Sequence, residues 1–341
     1  MKSKKKICIV GLGRFGTLIA SILKKDFEVS AIVSDVKKYF EKAKKVGIKI
    51  IDKEDLKNFD IIILCPPISK TEKIIQEIGP FLKEKSLLVD TCSVKTLPCQ
   101  WMKKHVPKNV EILGTHPMFG PVTTKFNLEK QTWKLDGLQI VLCPLRIDQK
   151  KLESIRKFLK KLKLKVIETT PGDHDKQNAK TLALVHFLGR ALVASGVKEQ
   201  EIFTPGYADL LKIIPHTASD NWQLFFDMNN FNPFSQNIRK DFLRSCHNLD
   251  FKIAASVGKD ELESSRNIID LVDEKIFELL KIRFREVRKI GKTKKKIGKN
   301  VRDTKRENKI IENKVRKFRM DKELVENIYK AIFNHSYKIK K

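Results

Sequence analysis

The chain has 341 residues, of which 41% are hydrophobic and 33% are charged. This length exceeds that of a typical single domain, so we expect two or three domains and exclude a small disulfide-stabilised scaffold. The hydrophobic fraction excludes an intrinsically disordered chain. With 70 Lys and Arg against 41 Asp and Glu, the net charge is +29, which suits nucleic acid, anionic lipid or small acidic substrates as partners.

The positive charge is concentrated towards the C-terminus. Residues 266–341 contain 25 Lys and Arg against 11 Asp and Glu, a net charge of +14. Such a segment is typical of a nucleic-acid-binding tail or of lysine-rich, solvated helix faces. It has neither the interleaved aromatic residues of single-strand binders nor a recognition-helix signature. We therefore expect no nucleic-acid partner, and a nucleotide-dependent nucleic-acid-binding regulator remains the alternative of a different class.

The cysteines and apolar runs indicate the compartment. The 6 cysteines are scattered without the spacing of a zinc site or a redox pair, which is typical of a reducing compartment. The first apolar run ends at once in Gly11, Gly13 and Gly16, which indicates a strand and not an export signal. No apolar run approaches the ~20 residues that span a bilayer. We expect a cytoplasmic protein with no membrane partner and no metal.

The first half of the chain alternates short apolar runs with amphipathic stretches. Near-continuous apolar strands separated by helices predict a doubly wound α/β fold, a Rossmann domain over residues 1–170 with its parallel sheet covered on both faces. The predicted strands are 7–10, 29–33, 60–64, 87–90, 111–113, 139–142 and 165–167.

The strands stop after residue 170, and the rest of the chain is predicted to be helical. In this interpretation residues 171–258 form an all-α domain, which we expect to mediate dimerisation and to contribute to the substrate site. Within 263–341, apolar residues from Ile269 to Ile290 recur at steps of three and four, which predicts a long amphipathic helix. A break at 298–301 separates it from two further helices, 305–319 and 322–337, so we expect a three-helix domain.

A glycine-rich turn follows the first predicted strand. Gly11, Gly13 and Gly16, with Arg14 and Phe15 between the last two, open a helix directly after residues 7–10. A strand, this turn and a helix bind the pyrophosphate of a dinucleotide, because the glycines permit a tight turn and a close approach. We predict a dinucleotide site here.

Residues at the end of the second predicted strand indicate which dinucleotide is bound. Asp35 lies about 20 residues after Gly16, where an acidic residue usually holds the adenine ribose hydroxyls. Ser34 is an alternative ribose contact, and Lys37 and Lys38 are placed to neutralise a 2′-phosphate. The sequence therefore predicts NAD or NADP without separating them.

Two polar segments follow neighbouring strands at the carboxyl edge of the sheet. Ser93 and Lys95 follow residues 87–90, and His116 follows 111–113. Doubly wound folds bind ligands at this edge. An imidazole beside a substrate hydroxyl can accept its proton while hydride leaves the same carbon. We therefore predict a hydride-transfer site around Ser93 and His116.

These segments resemble the prephenate and arogenate dehydrogenase family. The resemblance rests on Ser-Val-Lys at 93–95, His-Pro-Met-Phe-Gly-Pro at 116–121, Gly-Asp-His-Asp at 172–175, and Gly-Tyr-Ala-Asp-Leu-Leu at 206–211. It also rests on His186 with Arg190 one helical turn later. The family oxidises a cyclohexadienol carboxylate with loss of carbon dioxide and formation of an aromatic ring.

The resemblance implies roles for several of these residues. His116 receives the hydrogen bond of the ring hydroxyl, Ser93 supports His116, and His186 lines the pocket against nicotinamide or substrate. Many bacterial relatives place a carboxylate-binding arginine where this chain has Ala208. Arg190 or Lys95 is expected to supply that charge. Prephenate and arogenate both remain open as the substrate of this domain.

The tail carries basic residues at a regular spacing. Arg283 and Lys294 are eleven residues apart, which is three helical turns, so they project from nearly the same face. Arg266 falls on a different face. Inward-facing cations in a helical bundle are costly unless an anion pairs with them, so a dicarboxylate ligand is expected.

This arrangement resembles the all-helical chorismate mutase family over residues 265–341. In that register Arg266 and Arg283 bind substrate carboxylates, with Arg266 reaching the partner protomer of a helical homodimer. Lys294 binds the ether oxygen, and Lys340 is placed near a second ether-oxygen donor. Glu307, with the backbone near Asp303, binds the ring hydroxyl. Asp303, Arg306 and Glu307 stand at the start of the second helix.

Together the two resemblances imply a bifunctional enzyme of tyrosine biosynthesis. The tail is expected to rearrange chorismate to prephenate, and the Rossmann site to decarboxylate prephenate oxidatively to 4-hydroxyphenylpyruvate. The fusion favours prephenate, since arogenate would require a transamination between the steps. A mutase fused to an arogenate dehydrogenase that forms tyrosine is the alternative.

Overall fold

The computed structural model describes residues 4–127, 132–218, 220–298 and 303–339. The chain forms two compact units, an N-terminal unit of residues 1–243 and a C-terminal unit of residues 244–341. The further domain boundary expected near residue 170 stays a prediction.

The N-terminal unit is built on an eight-stranded sheet in the order β10-β9-β6-β5-β4-β1-β2-β3. A separate two-stranded hairpin pairs β7 with β8. The strands are β1 Lys6–Val10, β2 Glu28–Ile32, β3 Lys49–Ile50, β4 Ile61–Leu64, β5 Leu87–Asp90, β6 Glu111–Pro117, β7 Lys125–Asn127, β8 Thr132–Lys134, β9 Gln139–Arg146 and β10 Lys165–Glu168.

The predicted doubly wound α/β fold is confirmed, with one difference in strand direction. All four residues of β5 are buried, as expected for a strand covered on both faces. However, β9 runs antiparallel to β6, and β10 then pairs parallel with β9. The connection from β6 to β9 contains the β7/β8 hairpin and, among its described residues, no helix. Only a parallel crossover needs a helix.

Helices cover this sheet and continue beyond its last strand. Two short 3₁₀ helices also occur, at Lys53–Asn58 and Gly79–Phe81. The helices are α1 Arg14–Leu23, α2 Val36–Val46, α3 Ile68–Ile78, α4 Thr96–His105, α5 Gln149–Lys161, α6 Pro171–Asn178, α7 Val185–Ala194, α8 Pro205–Leu211, α9 Ile213–Ala218, α10 Trp222–Asn230 and α11 Ser235–Ser256.

The segment after β10 is helical, as predicted, and hydrogen bonds join it to the carboxyl edge of the sheet. A π-helical stretch, Ala179–Leu184, joins α6 to α7. Asp175 of α6 accepts the backbone N–H groups of Lys95 and Thr96 in the loop after β5. Asp227 of α10 accepts the backbone N–H of Ser69 at the start of α3. These bonds hold polar side chains of α6 over the strand ends.

The C-terminal unit contains the second half of α11 and three further helices close to the predicted ones. They are α12 Glu261–Lys296, α13 Thr304–Phe318 and α14 Lys322–Lys338. Each begins with an aspartate whose side chain accepts a backbone N–H of the first turn: Asp260, Asp303 and Asp321. Across the described parts of both units, we find no helix long and apolar enough to cross a bilayer.

Candidate active sites

The glycine-rich turn leads tightly from β1 into α1. Gly11 has a φ of 103°, which a side chain strains, and a Cβ there would lie 3.2 Å from the Cys65 carbonyl oxygen. A Cβ at Gly16 would lie only 1.9 Å from the Gly11 carbonyl oxygen. Glycine is therefore required at both positions for the strand and helix to approach this closely.

The N-terminus of α1 is suited to an anion. Gly13 precedes the helix without a side-chain cap, and a Cβ there would meet nothing within 4 Å. Arg14 is exposed, whereas Phe15 is partly buried and packs against the core below β5 and β9. Uncapped N–H groups beside open space fit a pyrophosphate, which agrees with the predicted dinucleotide site.

Asp35 lies just past the carboxyl end of β2, as predicted. It caps α2, and its Oδ1 accepts the backbone N–H of Lys38 at 3.0 Å. Ser34, Asp35, Lys37 and Lys38 are all exposed. A carboxylate that uses one oxygen as a cap can offer the other to a ribose hydroxyl, so the residues present fit the adenosine half of a dinucleotide.

His116 lies in β6 two residues beyond Gly114, which is paired with the last residue of β5. Its side chain is buried, and its Nδ1 lies 2.9 Å from His174 Nε2. His174 Nδ1 in turn lies 2.8 Å from Asp175 Oδ1. Burial lowers the pKa of His116 well below its ordinary value, and His174 and Lys95 lower it further. The imidazole is therefore neutral near pH 7 and able to accept a proton.

The structure corrects the role expected for Ser93. Its Oγ is buried and makes no hydrogen bond to any described residue, whereas its carbonyl oxygen accepts Nδ2 of Asn178. The ring of His116 is held by His174 instead. The partner of His116 Nδ1 is the imidazole of His174, which α6 carries.

The structure also overturns the prediction that Lys95 binds a substrate carboxylate. The Lys95 side chain is fully buried, and its ammonium group donates to Asp90 and to the carbonyl oxygen of Thr115. Burial alone would lower the pKa of Lys95, but the Asp90 carboxylate outweighs it and raises the pKa. Lys95 balances a buried carboxylate and is not available to a ligand.

His186 and Arg190 lie one turn apart on α7 and share Asp220 as a neighbour. His186 Nδ1 is buried 4.0 Å from Asp220 Oδ2, while Arg190 donates to the Asp220 carbonyl oxygen at 2.6 Å. The guanidinium stacks over Trp222 and Phe225 at 4.2 and 4.9 Å. Its Nε is buried and has no hydrogen-bond partner among the described residues.

The pKa of His186 is also lowered. Burial is the main cause, and the Arg190 charge adds to it, while the Asp220 carboxylate acts in the opposite direction. A neutral His186 beside an arginine suits a pocket for an anionic substrate, since the cation attracts the anion while the imidazole offers a neutral hydrogen bond.

Arg283 on α12 is a half-buried cation of the C-terminal unit. One of its nitrogens donates to Ser336 Oγ of α14 at 2.7 Å, and its guanidinium lies within 6 Å of the rings of Phe284 and Phe333. Burial lowers the pKa of Arg283, and the Tyr329 hydroxyl opposes this. No salt bridge to Arg283 occurs within the part of the chain that the structure describes.

The other residues expected in the mutase site lie on α12, which also carries Arg283, and at the start of α13. Lys294 is half-buried on α12, and Glu307 of α13 accepts the Tyr337 hydroxyl of α14. Asp303 accepts the backbone N–H of Arg306 and so starts α13. Arg266 is exposed, and so is Arg306. Lys340 lies outside the described residues.

Sequence reasoning missed four neighbours of the expected residues: His174, Asp175, Asp220 and Tyr337. The first two stand in the Gly-Asp-His-Asp segment, which was used only as a mark of family. A histidine directly followed by an aspartate, both at the start of a helix after the last strand, was the available signal. Asp220 and Tyr337 have no such local signature, because only the tertiary fold brings them to their partners.

Family models match both units of the chain. Residues 19–168 match the prephenate dehydrogenase nucleotide-binding domain, and residues 265–341 match chorismate mutase type II. A third model, described as the TYRAAT1-like C-terminal domain, matches residues 191–265. The first of these ranges includes the segments at 93–95 and 116–121, and the last coincides with the tail that resembles the chorismate mutase family.

Two dehydrogenases are similar to about two thirds of the chain. Arogenate dehydrogenase 2, chloroplastic, from Arabidopsis thaliana is 32% identical over 68% of this chain and 65% of its own length. A probable arogenate/prephenate dehydrogenase from Methanocaldococcus jannaschii is 33% identical over 70% of this chain and 54% of its own length. The chain thus spans less than two thirds of these relatives.

A solved structure shows the same fold. The prephenate dehydrogenase from A. aeolicus, in complex with hydroxyphenyl propionate and NAD+, has a TM-score of 0.58 at 19% identity. The similarity covers 82% of this chain and 99% of that one. The chain thus joins a segment that matches the nucleotide-binding domain of prephenate dehydrogenase to a C-terminal segment that matches chorismate mutase type II.

Proposed function

We propose that this chain is a bifunctional enzyme of tyrosine biosynthesis. The C-terminal unit rearranges chorismate to prephenate, and the N-terminal unit decarboxylates prephenate oxidatively to 4-hydroxyphenylpyruvate with NAD or NADP. The observation that carries the proposal is that both family models match one chain. The mutase product is the dehydrogenase substrate, so the fusion places two consecutive steps together. We place the enzyme in the cytoplasm.

In the dehydrogenase step, His116 accepts the proton of the ring hydroxyl. The burial that keeps this imidazole neutral also excludes water from the proton transfer. A bound nicotinamide supplies the acceptor for the hydride from the hydroxyl-bearing carbon. Arg190, with its unpaired Nε, is our candidate for the substrate carboxylate now that Lys95 is committed to Asp90. His186 lines the same pocket.

In the mutase step, the protein holds chorismate folded and stabilises charge on the breaking ether oxygen. Arg283 binds a carboxylate, for which its half-buried position without a described salt bridge is suited. Lys294 donates to the ether oxygen, and Glu307 with the backbone near Asp303 binds the ring hydroxyl. Arg266 binds the second carboxylate in the site of a partner protomer. Arg306 adds a further positive charge near the substrate.

The apolar surface of α12 supports a homodimer as part of this proposal. Its side chains include Ile276, Phe277 and Leu279, which are 48, 66 and 65% exposed. Large apolar side chains on one helix are stable in water mainly when a partner covers them. We expect Leu279→Glu to lower the mass measured by sedimentation equilibrium, and Lys281→Glu, on the same helix, to leave it unchanged.

Arogenate is the alternative substrate of the N-terminal unit. The observation in its favour is Ala208, which stands where many bacterial relatives carry a carboxylate-binding arginine. The Arabidopsis relative is likewise named an arogenate dehydrogenase. In this case the second reaction would give tyrosine, and chorismate alone would not support it.

The deciding experiment is a spectrophotometric assay of the purified protein. Chorismate is added first and its ultraviolet absorbance is followed, and then NAD or NADP is added and reduced cofactor is measured. Chorismate loss coupled to reduced cofactor supports the proposal. Chorismate loss with reduction only when arogenate is added supports the alternative, and no chorismate loss together with a salt-sensitive mobility shift supports a nucleic-acid-binding regulator.

A further inference from the structure

A chain of three buried side chains leads away from His116. His116 Nδ1 is 2.9 Å from His174 Nε2, and His174 Nδ1 is 2.8 Å from Asp175 Oδ1. The two rings meet edge to face, with centroids 5.1 Å apart. All three residues are at most 6% exposed. The contact therefore has defined geometry and is shielded from water.

The positions of the protons in these two hydrogen bonds follow from Asp175, the last of the three side chains. Asp175 accepts backbone N–H groups from Lys95 at 2.7 Å and from Thr96 at 2.8 Å. Burial acts to raise the pKa of Asp175, but the hydrogen bonds from His174, Thr96 and Lys95 outweigh it and lower the pKa. Asp175 is a carboxylate and only accepts, so His174 Nδ1 must donate to it.

The tautomer of His116 follows in turn. In the neutral form of His174, donation from Nδ1 leaves Nε2 unprotonated, and that nitrogen can only accept. His116 Nδ1 must therefore carry the proton between the two rings. The Nε2 of His116 is then left with its lone pair.

We propose that His174, held by Asp175, is the positioning residue that fixes His116 in the tautomer whose Nε2 accepts the substrate hydroxyl proton. The inference rests on the proposed dehydrogenase function of this site. His174 does not touch the substrate in this scheme. It orients the ring and determines which nitrogen is the base.

The same chain balances charge during the reaction. When the substrate O–H bond breaks, its proton goes to His116 Nε2 and His116 becomes an imidazolium. The hydrogen bond from its Nδ1 to His174 becomes charge-assisted and so stronger. The Asp175 carboxylate lies one residue further, and the nearby Lys95 charge is balanced by Asp90.

Two variants of one residue separate positioning from mere packing. In His174→Asn the amide reaches Asp175 but ends too early to contact His116, whereas in His174→Gln the side-chain oxygen can occupy the place of Nε2. We expect His174→Asn to lower kcat for prephenate oxidation about 10–100-fold with little change in KM. We expect His174→Gln to recover most of that loss. Equal kcat in wild type and His174→Asn, or equal loss in both variants, overturns the proposal.

A readout without turnover keeps this test separate from the proposed function. Nitrogen-15 NMR of the whole protein distinguishes protonated from unprotonated ring nitrogens, and the His116 signals are identified by their loss in His116→Ala. We expect a protonated Nδ1 and a bare Nε2 in wild type, and a mixture of tautomers in His174→Asn. A protonated Nε2 in wild type overturns the inference even if the enzyme oxidises prephenate. An inactive wild type with the expected tautomer refutes the function instead.

The same protein also provides a control for misfolding of the His174 variants. All 3 tryptophans, at positions 101, 133 and 222, lie in the N-terminal unit, so their fluorescence follows the unfolding of that unit. Both His174 variants should keep the wild-type emission spectrum at the assay temperature. Chorismate consumption by the C-terminal unit should also be unchanged. A kcat loss under these conditions reports on His116 and not on unfolding.

Discussion

The two candidate sites differ in how completely one copy of the chain builds them. In the N-terminal unit, His116, His174 and Asp175 are buried and hydrogen-bonded to one another. In the C-terminal unit, Arg266 is exposed and the apolar side chains of α12 are uncovered. The first site is organised before any ligand arrives, whereas we expect the second to be completed by a partner copy and by its substrate.

The buried cations of the two units differ in the same way, because only one of them has a carboxylate partner. Lys95 in the N-terminal unit is fully buried and paired with Asp90, so its charge is already balanced. Arg283 in the C-terminal unit is half-buried among aromatic rings with the Ser336 hydroxyl as partner. A buried cation with a carboxylate contributes to the fold, while one facing only neutral groups is suited to an anionic ligand.

The largest effect should follow from removal of the dehydrogenase base. His116→Ala removes the group that accepts the hydroxyl proton, so kcat for prephenate oxidation should fall about 10²–10⁴-fold. Reduced cofactor formed from added prephenate measures this. Chorismate consumption should persist, because the two sites share no residue. Wild-type production of reduced cofactor by His116→Ala would refute its assignment as the base.

The buried pair beside that base can be broken next. Lys95→Met leaves Asp90 as an unpaired buried carboxylate, so the N-terminal unit should lose about 3–5 kcal/mol of unfolding free energy. Tryptophan fluorescence in a urea titration measures it, since all 3 tryptophans are in this unit. Adding Asp90→Asn should restore part of the loss. If the Lys95→Met protein is as stable as wild type but binds prephenate more weakly, Lys95 contacts the substrate and our assignment is wrong.

The matching change in the C-terminal unit is Arg283→Ala. Loss of this cation should slow chorismate consumption about 10²–10³-fold, because it removes a charged donor from a partly desolvated site. Ser336→Ala is the matched control, since it removes the hydroxyl beside Arg283 but leaves the guanidinium, and it should have a much smaller effect. Prephenate oxidation should be unchanged in both. Equal effects of the two substitutions would indicate that Arg283 acts only through packing.

The elements that were predictable from sequence are those with a strong local pattern. The strand β5 and the helix α12 were recognised because apolar residues recur with the period of each structure. The antiparallel direction of β9 was not predictable, because a run of apolar residues does not indicate in which direction a strand crosses the sheet. The hairpin between β6 and β9 is short and lacks a glycine turn signal that would have indicated it.

The site residues follow the same rule. His116 was predictable because a polar residue at the end of a buried strand stands out. The burial of Lys95 was not predicted, although Asp90 in the otherwise apolar strand β5 indicated that a cation must lie nearby. The contact between His116 and His174 joins residues 58 positions apart, and no local pattern can reveal such a pairing.

The smallest effect tests the cofactor preference that both sequence and structure leave open. Asp35→Ser keeps a residue able to cap α2 but removes the carboxylate expected at the adenine ribose. Loss of a hydrogen bond to a charged group is worth about 1.5–3 kcal/mol, so KM for NAD should rise roughly 10–100-fold. The nearby Lys37 and Lys38 should then favour NADP. If KM for NAD does not change, the ribose contact belongs to Ser34, and Ser34→Ala should raise KM in its place.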